Sequence, residues 1–368
     1  MDEACNLLGS MPIAWANPGQ AQFDFRTLPG DVVTTPTISM LRAIIETSLL
    51  DDVYQEDPTT TSLERLMANM TGHSQAAFVL SGTMGNQVAL RTHLTQSPHA
   101  VLCDSRSHII HWEAGGLASL CGAMVQGVSP ANGAFLTLED IQRKAILSDD
   151  VHRCPTRVIS LENTISGLIH PLSEIQRISE WARRHKVKLH LDGARLWEAV
   201  AAGGGTLLDY AKCFDSVSLD FSKGLGAPMG AIIVGDSEFI ARARRIRKSI
   251  GGGMRQAGVL SAAARDAVEG FHDEYEPGEK LRFAHALARS VAEMWIRKGG
   301  KLSRPSQTNL VWVDLNDAAV SSEEFQDIGR KYGVKVDGSR IVLHYQISDE
   351  GIRRLGSTFT EVLSKLPR

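Results

Sequence analysis

Cysteine is scarce in this chain and never paired: Cys5, Cys103, Cys121, Cys154 and Cys213 are scattered, odd in number and nowhere in C-x-x-C spacing. That excludes a disulfide scaffold and a thiolate zinc site, and leaves reduced, mostly buried thiols with no metal expected. Surplus charge of one sign is missing too. Thirty-nine Lys and Arg against 42 Asp and Glu give a net charge of −3, which excludes a globally basic nucleic-acid binder. No apolar run approaches the ~18 residues of a membrane span. The acidic start, interrupted at Pro12 and without a basic n-region, does not match a signal or transit peptide, so the expected setting is the cytoplasm. Neither G-x-G-x-x-G after the first strand nor G-x-x-x-x-G-K-[ST] occurs, which weighs against dinucleotide and P-loop nucleotide enzymes.

What is present is the texture of an α/β enzyme. The 368 residues are 43% hydrophobic and 22% charged, and many of the 33 glycines end apolar runs. Residues 1–25 read as an irregular arm. The stretch Ile38 to Ser48 is helical in pattern. Leu63, Leu66, Met67 and Met70 fall on one helical face behind a Thr61/Glu64 capping box. From Gln75 short apolar runs end in polar or glycine clusters: Ala76–Leu80, Ala100–Cys103, Val158–Leu161, Val187–Leu191, Ser216–Leu219 and Ala231–Val234. Helical segments lie between them, most clearly Glu174–Lys186, with Ile175, Ile178 and Ala182 on one face and a Ser173/Gln176 capping box. This alternation predicts a largely parallel sheet covered on both faces, in a large domain over 26–254. A smaller C-terminal α+β domain follows over 255–368, with helices at Gln256–Glu269 and Leu281–Lys298 and strands at Leu310–Leu315 and Ile341–Tyr345.

In such a sheet function sits at the carboxyl ends of the strands. There the chain carries Asp192-Gly193-Ala194-Arg195 and, about thirty residues later, Ser222-Lys223-Gly224. A lysine and a carboxylate so placed suit pyridoxal phosphate chemistry: the amine forms a Schiff base with the aldehyde, and the carboxylate keeps the ring nitrogen protonated as an electron sink. Ser81-Gly82-Thr83, opening a helix, offers backbone donors and hydroxyls to a phosphate. His108 and His111 follow the next strand end and offer a ring to cover the cofactor. Taken singly, Asp-Gly is a common turn and Ser-Lys-Gly a common element end; it is their order and spacing that carries the reading.

The ordered set Leu161-Glu162-Asn163-Thr164, Asp192-Gly193-Ala194-Arg195, Ser222-Lys223-Gly224-Leu225-Gly226 and Gly251-Gly252-Gly253-Met254-Arg255-Gln256 closely resembles the threonine aldolase family of fold-type-I pyridoxal phosphate enzymes. Asp51-Asp52-Val53-Tyr54-Gln55-Glu56-Asp57-Pro58 resembles that family's early signature, and the likeness covers roughly residues 25 to 350. The resemblance implies an aspartate-aminotransferase-like fold with a seven-stranded, mostly parallel sheet, and a homotetramer whose active sites are shared between subunits. It makes Lys223 the Schiff-base lysine, Asp192 the partner of the ring nitrogen, and Gly82, Thr83 and Ser222 cofactor ligands. It makes His108 the imidazole stacked on the cofactor, and Asn163 a partner of the ring oxygen. Arg195 and Arg340 would clamp the substrate carboxylate, and the β-hydroxyl proton would be taken by His152 directly or by a water held by His152 and His108.

The departures carry weight as well. The family's Arg-Ser-Asp-Thr-Val-Thr pattern is Pro29-Gly30-Asp31-Val32-Val33-Thr34 here, so Gly30 stands where a serine helps hold the carboxylate. Ile109, Ile110 and Ile165 replace polar or aromatic residues and predict a more apolar pocket. Asp220-Phe221 stands before Ser222-Lys223 where Cys-Leu is common. The leading expectation is retro-aldol cleavage of a threonine or allo-threonine type of substrate to glycine and an aldehyde. The alternative on the same scaffold is an alanine racemase. The alternative of another class is a non-enzymatic binding protein using the basic run Arg242, Arg244, Arg245, Arg247 and Lys248, a run that otherwise reads as a solvated helix face. His73, His111 and Met84 read as packing or surface residues.

Overall fold

The computed structural model describes residues 21–26, 30–148, 150–271 and 278–364. Seven strands form the central sheet: β1 (Gln75–Val79), β2 (Ala100–Asp104), β3 (Met124–Val128), β4 (Thr156–Glu162), β5 (Lys188–Gly193), β6 (Ser216–Asp220) and β7 (Ala231–Gly235). Their order is β1-β7-β6-β5-β4-β2-β3, and only β7 runs against its two neighbours. The inner strands are buried on both faces, which is why β2 and β7 read as short continuous apolar runs, while β5 and β6 also bury His190, Ser216 and Ser218. β3 escapes that pattern. It is an edge strand, and unlike β1 at the other edge it has Met124 and Val125 open to solvent and Gln126-Gly127 at its centre, so no apolar run marks it.

Local signals place the helices with two corrections. The helix at Pro58–Thr71 is capped by Asp57, whose carboxylate accepts from the Thr60 amide, with Pro58 in the first turn; the Thr61/Glu64 box does not form. Glu64 is turned inward and accepts from the Phe78 amide instead. The helix Leu172–Arg184 starts at Pro171 without a side-chain cap, so the Ser173/Gln176 box is absent as well, while Ile175, Ile178 and Ala182 are buried as the periodicity requires.

The largest hydrophobic cluster runs past residue 254, where the smaller domain is expected to begin, and the second largest lies mostly beyond it. Ala263, Ala264, Ala267, Val268 and Phe271, on the helix Gly258–Phe271, belong to the core of the large sheet, and so does Leu281. The second core begins at Ala288 on the next helix, Glu279–Arg297, and gathers Trp295, Phe325, Leu355 and Phe359 around the antiparallel pair β8 (Leu310–Trp312) and β9 (Arg340–Val342). Phe25 is buried in that second core, so the last residues of the expected arm are docked on the small domain; residues 1–20 lie outside the described residues. Among the described residues no helix is long and apolar enough to cross a membrane.

The basic run lies on the helix Ser237–Ser249, and most of its charge is spent internally. Arg242 pairs with Glu238, Arg244 with Glu64 at 2.6 Å, and buried Arg247 with Asp52 at 2.8 Å. That pairing removes the argument for a polyanion-binding face.

Candidate active site

Parallel pairing brings the polar strand ends together. Glu162 at the end of β4 is in register with Asp192 on β5, which is in register with Ser218 on β6. Glu162 is half-buried at the cavity wall, accepts from the His108 amide at 3.0 Å, and is pushed up to about 7, first by burial and then by the negative charge of Asp192.

Asp192 is held by a chain of hydrogen bonds whose direction can be worked out. Asn86 Nδ2 donates to Asp192 Oδ2 at 2.8 Å and to Glu113 Oε1 at 2.9 Å, so its Oδ1 is the acceptor for His190 Nε2 at 3.2 Å. His190 Nδ1 is then unprotonated and accepts from the Ser216 hydroxyl at 2.8 Å, whose oxygen accepts from His93 Nε2, also at 2.8 Å. Burial pushes both imidazoles down to about 3, so they stay neutral donors and acceptors and the chain points its donors at Asp192. Asp192 Oδ1 also accepts from the Ala194 amide at 3.1 Å.

The same helix, Gly82–His93, supplies the phosphate-binding features. Ser81 caps it, accepting from the Met84 amide at 3.1 Å, and Gly82 and Thr83 form the first turn, where free backbone N–H groups favour an anion. Gly85 is required one turn on, because a Cβ there would collide with Ser218 Oγ; its absence lets the helix lie against β6.

Lys223, Arg195, Arg340 and His108 line one cavity of about 680 Å³, together with Glu162, Arg106, Trp112 and Trp312. His108 Nδ1 donates to Glu113 at 2.9 Å, and that hydrogen bond raises its pKa above the usual imidazole value. Arg195 donates from Nε and Nη2 to the two oxygens of buried Asp31, at 3.0 and 2.8 Å, leaving Nη1. Arg195 in turn holds Asp31 down at about 2 against the opposing effect of burial. Arg340 is pushed down to about 10, by burial and then by the like charge of Arg195, so an anion between the two guanidiniums relieves both. Trp312 carries Arg304 at 4.2 Å and Arg340 at 5.8 Å from its ring, and its Nε1 donates to the Ser166 carbonyl at 3.0 Å.

Three of the expected residues fall elsewhere. His152 lies before the first residue of β4, at the amino end of the sheet, with its side chain 88% exposed and paired with Asp150, so within one chain it does not face the cavity. Asn163 is fully buried, and both ends of its amide are spent on the backbone of His170, at 3.1 and 3.4 Å; it clasps a turn and does not reach the cavity. Gly30 begins a single turn, Gly30–Val32, whose contribution to the site is the neighbouring Asp31. The expectation of an apolar pocket is corrected too. Ile109 and Ile165 are buried, Ile110 packs against the cluster around Leu90 and Cys121, and none of the three lines the cavity, whose walls are tryptophan, serine and charged side chains.

Glu113, Asn86, Asp31 and Trp312 were not singled out from the sequence. Glu113 follows His108 by five residues and Asn86 follows Ser81 by five, but nothing in a linear pattern says that their side chains meet.

The donor set matches pyridoxal phosphate in its chemistry. A lysine amine opens on the cavity, a carboxylate is fixed by directed donors, a helix start offers N–H groups to a phosphate, and an imidazole stands beside them. A seven-stranded sheet of this order with a lysine and an aspartate at these strand ends defines the fold-type-I class of pyridoxal phosphate enzymes. Comparison with known proteins narrows the class. The Beta-eliminating lyase family model matches residues 24–318. The chain is 52% identical over 349 residues to aldolase vrtJ of Penicillium aethiopicum, covering 95% of this chain and 88% of that protein. It is 48% identical to alanine racemase TOXG of Cochliobolus carbonum, with 96% and 91% covered. To a low-specificity L-threonine aldolase of Eremothecium gossypii it is 44% identical, with 93% and 87% covered. The solved Leishmania major threonine aldolase shares the fold at a TM-score of 0.76 and 19% identity, covering 93% of this chain and 99% of that one. This chain belongs to the threonine aldolase branch of the beta-eliminating lyase family, which depends on pyridoxal phosphate.

Proposed function

We infer that this chain binds pyridoxal phosphate at Lys223 and cleaves a β-hydroxy-α-amino acid of the threonine or allo-threonine type to glycine and an aldehyde. The observation that carries the reading is the grouping of Lys223, Arg195, Arg340 and the His108–Glu113 pair around one cavity. Held there, the cofactor would supply an electron sink for the pair released when a bond to Cα breaks.

Each protein group has a task that follows from its chemistry. Asp192, oriented by Asn86, holds a proton on the ring nitrogen. Ser81, Gly82 and Thr83 at the helix start hold the phosphate. Arg195 Nη1 and Arg340 would grip the substrate carboxylate, and that grip would set the orientation of the bonds to Cα. His108, its Nδ1 donating to Glu113, presents Nε2 as the acceptor of the β-hydroxyl proton. As that proton leaves, the Cα–Cβ bond breaks to give the aldehyde, and Cα then takes a proton to give glycine.

The likeness to TOXG favours a second reading, alanine racemisation, in which the proton on Cα is exchanged instead. The cavity walls no longer add to it, because Ile109, Ile110 and Ile165 are packed elsewhere. Assembly into an oligomer belongs to the same proposal. Ile38, Ile45, Leu49, Leu50 and Tyr54 are all exposed within one short stretch, and a neighbouring copy is the route by which exposed His152 would enter a site.

Purified protein should show a visible cofactor band that borohydride fixes covalently, and Lys223→Ala should lose it. A band that survives this substitution and is still fixed to the chain would assign the lysine elsewhere.

A further inference from the structure

Asp220, the residue standing where cysteine is common, is placed against both the lysine and the phosphate-binding turn. Along β6 the side chains of Ser216, Ser218 and Asp220 share one face, and each meets the helix Gly82–His93: Ser216 at His93, Ser218 at Gly85 and Asp220 at Gly82, where a Cβ would stand 3.0 Å from Asp220 Oδ2. The carboxylate is buried, 4% exposed, under the amino end of that helix, where the aligned peptide dipoles favour negative charge. Its Oδ1 accepts from the Ser222 amide at 2.7 Å, the Ser222 hydroxyl at 2.5 Å and the Lys223 amide at 3.4 Å. Its Oδ2 stands 3.5 Å from Lys223 Nζ.

We propose that Asp220 is the counter-ion of Lys223, a charge partner in the active site that holds the proton on the lysine nitrogen when it is joined to the cofactor. A neutral residue at this position has no charge with which to do so. The carboxylate also ties up the Ser222 hydroxyl, whose single proton is donated to Asp220 and is therefore not available to a phosphate. Ser222 thus acts on Lys223 through Asp220, and Ser81, Thr83 and the helix amides are left to hold the phosphate.

The proposal rests on the reading of Lys223 as the cofactor lysine, and its test separates the two. Titrate the visible band of the cofactor-loaded protein with pH in the wild type, Asp220→Asn and Asp220→Cys, with thermal melting to establish that each is folded. Removing a charge at this distance should lower the pH midpoint of the band by about 1–2 units in both variants. The cysteine variant, the residue common in the family, carries the test if the asparagine variant fails to fold. A midpoint unchanged to within about 0.3 unit in a folded variant overturns the role of Asp220. Failure of the underlying reading looks different: Lys223→Ala would keep a band that borohydride still attaches to the chain.

Discussion

His108 Nδ1 stands 2.9 Å from Glu113 Oε1, a carboxylate that is itself entirely enclosed and is also the acceptor for Asn86 and Gln87. The pairing raises the pKa of His108, and it fixes the ring so that Nε2 is the nitrogen left to face substrate. Replacing Glu113 by Gln removes the charge and should lower kcat by roughly 10- to 100-fold. If His108 acts as the base, the acid limb of the kcat/KM profile should also move to lower pH, because the proton on His108 is then held less tightly. A profile and rate like those of the wild type would remove Glu113 from the account.

Asp192→Asn should retain the fold and lose about a hundredfold in rate, since two pKa units of lost hold on the ring proton correspond to ~2.7 kcal/mol. The chain behind it makes a finer prediction. His190→Leu removes the donor to Asn86 Oδ1 and should cost roughly tenfold, while His190→Gln, which keeps an N–H, should recover most of that. Nitrogen-15 NMR of labelled cofactor reads the ring proton directly and should change in the leucine variant but not in the glutamine variant.

Asp31→Asn leaves the half-buried Arg195 guanidinium without its carboxylate and should destabilise the fold by about 1–3 kcal/mol by denaturant titration. The wild type carries the same pairing as a pH effect. Asp31 is held at about 2, below its ordinary value, so its contribution is fully present above pH 4 and is lost as the pH falls through 2. An Arg340→Leu variant should raise KM by about a hundredfold, because the substrate carboxylate loses a guanidinium partner.

The buried imidazoles and Glu162 act in opposite senses on stability. His93 and His190 are pushed down to about 3, so the unfolded chain takes up protons near its ordinary value of 6.5 while the folded chain does not; their effect is to lower stability as pH falls from 6.5 towards 3. Glu162, pushed up to about 7, stays protonated in the fold when the unfolded chain has released its proton, so it lowers stability as pH rises from 4.5 to 7. Melting temperatures of Glu162→Gln between pH 4.5 and 7 should therefore climb more steeply with pH than those of the wild type. Identical slopes would contradict the burial of an ionisable Glu162.

Much of this was legible in the chain because strand ends in a parallel sheet announce themselves. The runs ending at Asp192 and at Ser222-Lys223 are buried on both faces of β5 and β6, their polar members His190, Ser216 and Ser218 turned onto the helix Gly82–His93, and the residues that follow stand where ligands bind. β3 was missed for the converse reason, as an edge strand with one face in solvent. Glu113, Asn86 and Asp31 were missed because each acts on a residue from another element, Asp31 on one 164 positions away. Asn163 and the three isoleucines were misjudged by reading a motif position as a direction: a residue beside a strand end can turn into the core as readily as into the site. His152 shows the same limit on a larger scale, since its sequence context says nothing about which end of the sheet it occupies.

The central claim, that this cavity breaks Cα–Cβ and not merely Cα–H, is tested by one incubation. Give the protein L-threonine, L-allo-threonine and L-alanine separately in deuterated water, and follow aldehyde, glycine, and deuterium and chirality at the alanine Cα. The account predicts aldehyde and glycine in equal amounts from at least one β-hydroxy substrate, with alanine left optically pure. Rapid conversion of L-alanine to a deuterated racemate with negligible aldehyde from either hydroxy amino acid would contradict it, leaving the fold and the cofactor site in place and assigning the chain to racemisation.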